Sequence, residues 1–241
     1  MTSDPQATGV ARLPVDLDGW LQYIESRHAK SIDMGLDRVR AVRDQLGLAP
    51  VFPVITVGGT NGKGSTCAML EAILDAAGFR VGCYTSPHLI RYNERVRVGR
   101  TPVDDDALCG AFAAVESARG DVPLTYFEFG TLAAVRHFQQ AGVDVAILEV
   151  GLGGRLDAVN VFDADCAVIT SVGIDHVDYL GPTRESIGFE KAGIVRTGRP
   201  VVVAEQDPPA TLVDHIRTVG AQPLFAGVDF RAIDEGTQWR Y

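Results

Sequence analysis

One short segment, Gly58-Gly59-Thr60-Asn61-Gly62-Lys63-Gly64-Ser65, constrains the fold of this chain more than any other. It follows residues 51–57, a mostly apolar and β-branched run that predicts a buried strand. It precedes apolar residues that recur at helical spacing from Leu70 and stop at Gly78, which predicts an amphipathic helix. A strand, a glycine-rich turn and a helix present backbone N–H groups and a helix N-terminus to a phosphate. The sequence therefore predicts a phosphate-binding loop.

The loop carries the side chains that a nucleotide site needs. Lys63 can reach the terminal phosphates, and the hydroxyl of Ser65 or Thr66 can reach Mg²⁺ or a phosphate oxygen. The spelling departs from G-x-x-x-x-G-K-[ST], because Val57 replaces the first glycine and Gly64 separates Lys63 from Ser65. A generic tight turn is the alternative, which the four glycines, the lysine and the two hydroxyls of residues 58–65 argue against. The predicted ATP-binding residues are Gly59, Thr60, Asn61, Gly62, Lys63, Gly64, Ser65 and Thr66.

The rest of the chain alternates between predicted helices and strands, which indicates an α/β protein with a mostly parallel sheet covered by helices on both faces. The apolar runs 143–150 and 166–172 lack polar alternation over most of their length, which is typical of strands buried on both faces. Further predicted strands are 80–85, 201–204 and 223–225, and predicted helices are 16–29, 36–46, 104–118, 126–140 and 210–219. Residues 227–241 predict neither. We expect a helical segment at 1–50 that packs on the core, an ATP-binding domain at 51–226, and the start of a linker or sheet extension at 227–241.

Composition excludes several classes of protein. The net charge of −9 argues against a global footprint for nucleic acid, and no apolar run approaches the roughly 20 residues of a membrane helix. The N-terminus lacks the layout of a signal peptide. The four cysteines, Cys67, Cys83, Cys109 and Cys166, show no metal-binding spacing and predict reduced thiols. We expect a cytoplasmic monomer whose partners are small molecules, with neither a nucleic acid nor a membrane among them.

The spelling of the loop resembles that of the Mur ligase superfamily, and within it of the folylpolyglutamate synthase/dihydrofolate synthase family. Further segments carry the resemblance, in order, over most of the chain. They are 30–36, 84–89 with its Ser-Pro-His-Leu, 91–96, 124–129, 149–158, 170–176 and 190–194. The resemblance implies the P-loop NTPase-like fold of the Mur ligase central domain. It also implies a ligase that uses ATP to activate a carboxylate as an acyl phosphate, which the amine of L-glutamate then attacks.

A metal site is expected at the ends of the predicted strands. Glu149 ends a buried strand, at the edge where α/β sheets place ligands, and a carboxylate opposite a phosphate loop suits Mg²⁺. For a lone Glu149 the alternative is an acid that caps a loop, which the glycines at 151, 153 and 154 argue against, because they allow a backbone to approach a ligand closely. A single histidine such as His176 is, taken alone, more often packed or solvated than a ligand. The resemblance implies that Ser86, Glu149 and His176 bind Mg²⁺, with K⁺ as a further candidate cation. It implies that Lys191, otherwise a solvated lysine on a helix, is carbamylated, and that Lys63, His176 and Lys191 are the catalytic residues.

The resemblance also implies a site for the organic acceptor, dihydropteroate or a folate. Tyr126 and Phe127 can offer stacking surface to a flat ring, and Asp157 a polar anchor. Without the resemblance, the buried start of a helix explains Tyr126 and Phe127 equally well. The implied acceptor-binding residues are Lys30, Ser31, Ile32, Asp33, Thr125, Tyr126, Phe127, Glu128, Leu156, Asp157 and Ala158.

Three alternatives stay open at this point. A Mur-type ligase for a peptidoglycan nucleotide is one, and segments 86–89 and 125–128 argue against it. A nucleotide-binding module without catalysis is the second, because the implied family has a further C-terminal domain that binds glutamate, and this sequence ends about where its linker is expected. We therefore expect the 241-residue chain alone to bind ATP with little or no ligation. A generic P-loop kinase or GTPase is the third, although the GTPase motif N-K-x-D does not occur here.

Overall fold

An eight-stranded β-sheet organises the structure, a computed structural model that describes residues 13–236 and 238–240. The strands are β1 (Val54–Gly58), β2 (Val81–Tyr84), β3 (Val96–Val98), β4 (Thr101–Pro102), β5 (Val145–Glu149), β6 (Cys166–Ile169), β7 (Pro200–Val203) and β8 (Gln222–Phe225). They lie in the order β4-β3-β2-β5-β1-β6-β7-β8. The pairs from β2 to β8 along this order are parallel, and β3 and β4 add an antiparallel edge. β1 therefore lies between β5 and β6, inside the parallel part of the sheet.

Helices cover both faces of this sheet. In the described part of the chain they are α1 (Leu17–Glu25), α2 (Asp37–Gln45), α3 (Lys63–Ala76), α4 (Asp105–Arg119), α5 (Tyr126–Ala141), α6 (Val177–Leu180), α7 (Arg184–Ala192) and α8 (Ala210–Val219). Successive residues of β5 point to opposite faces, as a strand requires. Ala146 and Leu148 join a large core with buried residues of α4, α5, α7 and α8, whereas Val145 and Ile147 join a smaller core with α3. The predicted α/β fold, with a mostly parallel sheet and helices on both faces, is confirmed.

The first two helices form an outer layer on α4 and α5. The Asp16 carboxylate caps α1 by accepting a hydrogen bond from the Gly19 amide at 2.8 Å. Trp20 is 2% exposed and packs its ring against Phe112, with 6.1 Å between ring centroids. Val39 of α2 is fully buried in the same large core. Helices α1 and α2 thus pack on the core, while residues 1–12 of the predicted helical segment lie outside the described residues.

Some elements differ from the sequence-based expectation. Residues 227–241 predict no regular structure, but β9 (Ile233–Asp234) and β10 (Trp239–Arg240) form an antiparallel pair there, and Tyr241 lies outside the described residues. Ile73 belongs to the apolar series that starts at Leu70 and predicts a buried face of α3, but it is 65% exposed. Glu71 is buried instead, where it pairs with Arg97 of β3. Strands β3 and β4 are too short to show a periodic pattern. Among the described residues, no helix is both long and apolar enough to span a bilayer.

Candidate active site

Four adjacent parallel strands end at one edge of the sheet, where they bring distant segments of the sequence together. β1 leads into the glycine-rich loop and β2 leads to Ser86. β5 ends at Glu149, and β6 leads through residues 170–175 to His176. Because these strands lie in the order β2-β5-β1-β6, the four segments converge at their carboxyl ends. This edge is where open α/β sheets bind their ligands.

The turn between β1 and α3 is shaped for close approach by an anion. Gly59 has φ +149° and Gly62 has φ +85°, conformations that favour glycine. Gly62 is the N-cap of α3 and no side chain caps that end of the helix, so its first amides remain available to a phosphate. The Lys63 ammonium donates to the carbonyl oxygens of Gly59 at 3.0 Å and Thr60 at 3.2 Å, which holds the positive charge over the loop.

The segment after β6 braces this loop. The Thr60 amide donates to the Ser171 carbonyl oxygen and the Asn61 amide donates to the Ser171 hydroxyl, both at 2.9 Å. The Thr170 hydroxyl donates to the Asn61 carbonyl oxygen at 2.6 Å. A Cβ atom on Gly59 would lie 1.9 Å from the Thr170 Oγ1, so a glycine is required there. Two segments that were predicted separately, 58–65 and 170–176, therefore form one structural unit.

Glu149 and Ser86 lie beside the first turn of α3. Glu149 is buried, and its Oε2 accepts a hydrogen bond from the Ser86 backbone amide at 3.0 Å. Burial raises the pKa of the Glu149 carboxyl, while the Ser86 amide and the charge of Lys63 act in the opposite direction. A Cβ atom on Gly64 would lie 3.8 Å from the Glu149 Oε1. The carboxylate therefore directly adjoins the glycine-rich loop.

His176 reaches the same place from the loop after β6. Its side chain is 48% exposed, and its Nε2 lies 3.6 Å from the Asp175 Oδ2. Its backbone has φ +48°, which is uncommon for a residue other than glycine, and such conformations cluster at functional sites. An imidazole in this position is open to a ligand.

Lys191 lies near the C-terminal end of α7 and is 3% exposed, so the alternative of a solvated lysine is wrong. Burial and the charge of Lys63 lower the pKa of Lys191 to about 8, against the opposing effect of Asp175. Among the residues that the structure describes, none forms a hydrogen bond or ion pair with the Lys191 ammonium.

Gly154 allows the loop after β5 to pack closely on α7, because a Cβ atom there would lie 2.8 Å from the Glu190 carbonyl oxygen.

A cavity of about 420 Å³ adjoins these groups. Lys63, Ser86 and His176 line it. Most of the predicted acceptor-binding residues line it as well, namely Ser31, Ile32, Asp33, Thr125, Phe127, Glu128, Leu156, Asp157 and Ala158. Lys30 and Tyr126 do not. Lys30 is exposed and lies 3.5 Å from Asp33, and Tyr126 packs edge-on against Tyr92.

Asp157 is one of two buried acids that line this cavity, the other being Glu128. Its Oδ2 accepts from the Leu152 amide at 2.8 Å and its Oδ1 accepts from the Val159 amide at 3.0 Å. Burial nevertheless raises the pKa of Asp157 to about 7, because these amides offset only part of the desolvation. Near neutral pH the group therefore divides between an acceptor-only carboxylate and an acid that can donate a hydrogen bond.

Two arginines near the cavity were not predicted as site residues, although Arg95 lies in segment 91–96, which carries the resemblance. Arg38 donates to Glu128 at 3.0 Å and lies 2.8 Å from Asp33, so it ties the segment after α1 to α5. Arg95 lines the cavity itself. Glu128 also forms a capping box with Thr125 at the start of α5. The T-x-x-E spacing of that box is a recognisable sequence signal, whereas nothing local in the sequence marks the partners of either arginine.

The donor groups at this edge are suited to Mg²⁺. In the described residues, no group of three or more histidine, cysteine, aspartate or glutamate side chains is placed to hold a metal ion. Glu149 offers one buried carboxylate, with the Ser86 hydroxyl and the His176 imidazole at the same end of the sheet. Mg²⁺ in nucleotide sites commonly takes one or two carboxylates, the substrate phosphates and water. A sparse donor set beside a phosphate loop therefore fits Mg²⁺.

Comparison with known proteins identifies the class. A model of the Mur ligase middle domain matches residues 57–228, well over half of the chain. The chain therefore belongs to the Mur ligase family. The dihydrofolate synthase/folylpolyglutamate synthase of Escherichia coli K12 is 53% identical over 226 residues, covering 93% of this chain and 54% of that relative. The chain thus spans about half the length of the curated relatives it matches.

Solved structures give the same grouping. The structure of E. coli FolC in complex with DHPP and ADP is 53% identical with a TM-score of 0.92, over 95% of this chain and 55% of that chain. A bifunctional folylpolyglutamate synthase/dihydrofolate synthase with Mn, AMPPNP and L-glutamate bound is 50% identical with a TM-score of 0.88, over 95% and 56% respectively. The predicted relationship to this family of ligases is confirmed.

Proposed function

We propose that the natural protein containing this sequence is an ATP-dependent, ADP-forming ligase that adds L-glutamate to dihydropteroate and to folates. The observation that carries the proposal is one shared cavity. Lys63, Ser86 and His176 line it together with Phe127 and Asp157, so a nucleotide and an acceptor bound there would meet. The relatives that resemble the chain are described with nucleotide, DHPP and L-glutamate as ligands, which supports the same chemistry here.

The reaction has two steps. An oxygen of the acceptor carboxylate attacks the γ-phosphorus of ATP, the bond to the departing ADP breaks, and an acyl phosphate forms. The amine nitrogen of glutamate then attacks the acyl carbon, the carbon–oxygen bond to phosphate breaks, and the amine loses a proton. The protein contributes mainly positioning and charge neutralisation. Residues 59–66 would bind the phosphates through the loop amides, the Lys63 ammonium and the hydroxyls of Ser65 and Thr66.

The groups around the loop support this assignment. Ser86, Glu149 and His176 would hold Mg²⁺, with K⁺ as a further candidate, and the bound metal neutralises charge on the transferring phosphoryl group. Lys191 would be carbamylated when its neutral amine adds to CO₂ and loses a proton. Its lowered pKa of about 8 favours this step, because the unprotonated amine is the nucleophile. The carbamate formed on Lys191 would be negatively charged and would attract the Lys63 ammonium, whereas a protonated Lys191 would repel it.

The acceptor would occupy the cavity wall formed by residues 31–33, 125–128 and 156–158. Phe127 offers a face for a flat ring, and Asp157 offers a buried polar anchor. Lys30 and Tyr126 would act from outside the lining, Lys30 through Asp33 and Tyr126 by packing against Tyr92.

The natural reading frame that contains this sequence provides the decisive assay. ATP-dependent addition of glutamate is measured with dihydropteroate and, separately, with tetrahydrofolate, and we expect ADP and phosphate in equal amounts with both. Lys63→Met is expected to lower kcat/KM by about a hundredfold or more, since a cation on the phosphates is lost. Arg217→Met, at an exposed ion pair on α8, is the matched control. Absence of activity with both acceptors would refute the proposal.

We infer an ATP-binding domain at 51–226 with the helical segment 1–50 against it and a linker beginning at 227–241, with the rest of the relatives' length providing glutamate binding. The 241-residue chain is then expected to bind ATP, measured by calorimetry, with little or no ligation.

We also infer a cytoplasmic monomer. The four free thiols support the cytoplasm, because it is a reducing compartment. Sedimentation velocity checks the oligomeric state.

A further inference from the structure

Arg95 is a cation at the cavity for which the proposed reaction has no use. Of the lysine and arginine side chains in the described part of the chain, Lys63 and Arg95 line the cavity. Lys63 lies over the phosphate loop, bonded to its carbonyl oxygens. Arg38 lies outside the lining and is occupied by Asp33 and Glu128. Arg95 is therefore the one charge of this set that is open to a second anion.

The surroundings of Arg95 fix its guanidinium but leave its outer edge free. Its Nε donates to the His88 Nδ1 at 2.8 Å, and its guanidinium carbon lies 5.5 Å and 5.6 Å from the ring centroids of Tyr92 and Tyr126. Its backbone carbonyl accepts from the Thr85 amide at 2.9 Å. No described residue accepts a hydrogen bond from its two terminal nitrogens. The guanidinium is half-buried and held in one orientation, and its two terminal nitrogens match the two oxygens of a carboxylate in geometry and charge.

We propose that Arg95 binds the α-carboxylate of the glutamyl group on a glutamylated acceptor, an inference that rests on the proposed function. Dihydropteroate has a single carboxylate, and that group must reach the phosphates beside Lys63. A folate carries its reacting carboxylate and an α-carboxylate as well. The additional anion loses water when it enters the cavity, so it needs a partner of its own. Arg95 thereby favours glutamylated acceptors over the unglutamylated one and determines specificity between the two.

Steady-state kinetics of the complete protein test this assignment. We compare kcat/KM for tetrahydrofolate with kcat/KM for dihydropteroate in the wild type, Arg95→Met and Arg95→Lys. Arg95→Met is expected to lower the ratio by about 10- to 100-fold, the range of a hydrogen bond to a charged group. Arg95→Lys keeps the positive charge but lacks the paired guanidinium donors, so its ratio should lie between those of the wild type and Arg95→Met. Arg91→Met is the control, because Arg91 is exposed, pairs with Asp105 and lies outside the cavity. An equal loss on both acceptors would overturn the proposal.

Equilibrium binding separates this proposal from the proposed function. Dihydropteroate and dihydrofolate differ by one glutamyl group, so the ratio of their dissociation constants isolates its contribution. We expect Arg95→Met to weaken dihydrofolate at least tenfold more than dihydropteroate, by calorimetry on protein whose thermal melt shows it to be folded. Equal weakening of both ligands would contradict the role of Arg95. If the wild-type protein binds both acceptors but adds glutamate to neither, the proposed function is contradicted. The ratio of dissociation constants still tests the role of Arg95 in that case.

Discussion

Gly59 and Gly64 belong to the same loop, but the structure gives them different requirements. An alanine at Gly59 would meet the Thr170 Oγ1 at 1.9 Å in a backbone conformation with φ +149°, so we expect Gly59→Ala to lower the free energy of unfolding by about 1–3 kcal/mol. An alanine at Gly64 would meet the Glu149 Oε1 at 3.8 Å, an ordinary contact in the first turn of α3. Gly64→Ala should therefore keep or slightly raise the free energy of unfolding, since alanine is more favourable than glycine in a helix by about 1 kcal/mol.

The predicted cost of Gly64→Ala is in nucleotide affinity. The added methyl group would occupy space beside Glu149, where the phosphates are proposed to bind, and we expect a dissociation constant for ATP about tenfold higher. Urea unfolding and calorimetry with ATP check the two variants side by side. Unchanged ATP affinity in Gly64→Ala would remove the functional reason for the glycine that interrupts Lys63 and Ser65.

Asp157 makes stability depend on pH in a defined direction. Its pKa rises from 3.8 to about 7 on folding, so between these values the folded chain holds the proton more often than the unfolded chain. The free energy of unfolding must then fall as the pH rises through this window, by about 4 kcal/mol in total, and level off above it. Urea unfolding of the wild type relative to Asp157→Asn, at pH 4, 5, 6, 7 and 8, measures this difference. A difference independent of pH would mean that the two amides keep Asp157 ionised.

At the scale of elements, the sequence predicts what local periodicity encodes. Helix α8 was predicted with the bounds that it has, and β5 and β6 were predicted from apolar runs because their residues are buried on both faces. The convergence of Ser86, Glu149 and His176 depends on the strand order β2-β5-β1-β6, which no local pattern contains. The resemblance identified those residues as a group, and topology gives the physical reason. Arg38 and Arg95 were not singled out as site residues because the contacts that place them across the fold, with Glu128 for Arg38 and Tyr126 for Arg95, have no local sequence signal.

The pair formed by Glu71 and Arg97 joins α3 to β3 across the smaller core. Arg97 donates to both Glu71 oxygens at 2.8–3.2 Å, and also to the Thr85 hydroxyl and the Glu94 carbonyl oxygen. Arg97→Met would leave the buried Glu71 charge without its partner, and we expect a loss of about 3 kcal/mol in the free energy of unfolding. Adding Glu71→Leu should recover most of that loss, because an apolar pair needs no counter-charge. Urea unfolding of the two single variants and the double variant measures the interaction energy between Glu71 and Arg97. If the losses of the single variants simply add in the double variant, the two side chains do not stabilise each other.

At the scale of the whole molecule, the cavity lies where two layers meet. The sheet and α3 provide the loop that is proposed to bind ATP, whereas the outer layer provides residues 31–33 of the acceptor wall. The Thr60–Ser171 and Asn61–Thr170 hydrogen bonds brace the loop without help from α1 or α2. Nucleotide binding and acceptor binding should therefore respond separately to changes in the outer layer.

Arg38 offers the sharpest test of this separation. Arg38 connects the outer layer to α5 by pairing with Asp33 and Glu128, so Arg38→Met should release residues 31–33 of the acceptor wall. We expect the dissociation constant for dihydropteroate to rise by about tenfold, the effect of losing one or two charged hydrogen bonds, and that for ATP to change by less than about threefold. Calorimetry with each ligand measures both. Arg40→Met is the matched control, since Arg40 lies two residues further along α2 and pairs with exposed Asp37. If Arg38→Met weakened both ligands equally, the two layers would have to act as one binding unit, and the acceptor wall could not be altered independently of the phosphate loop.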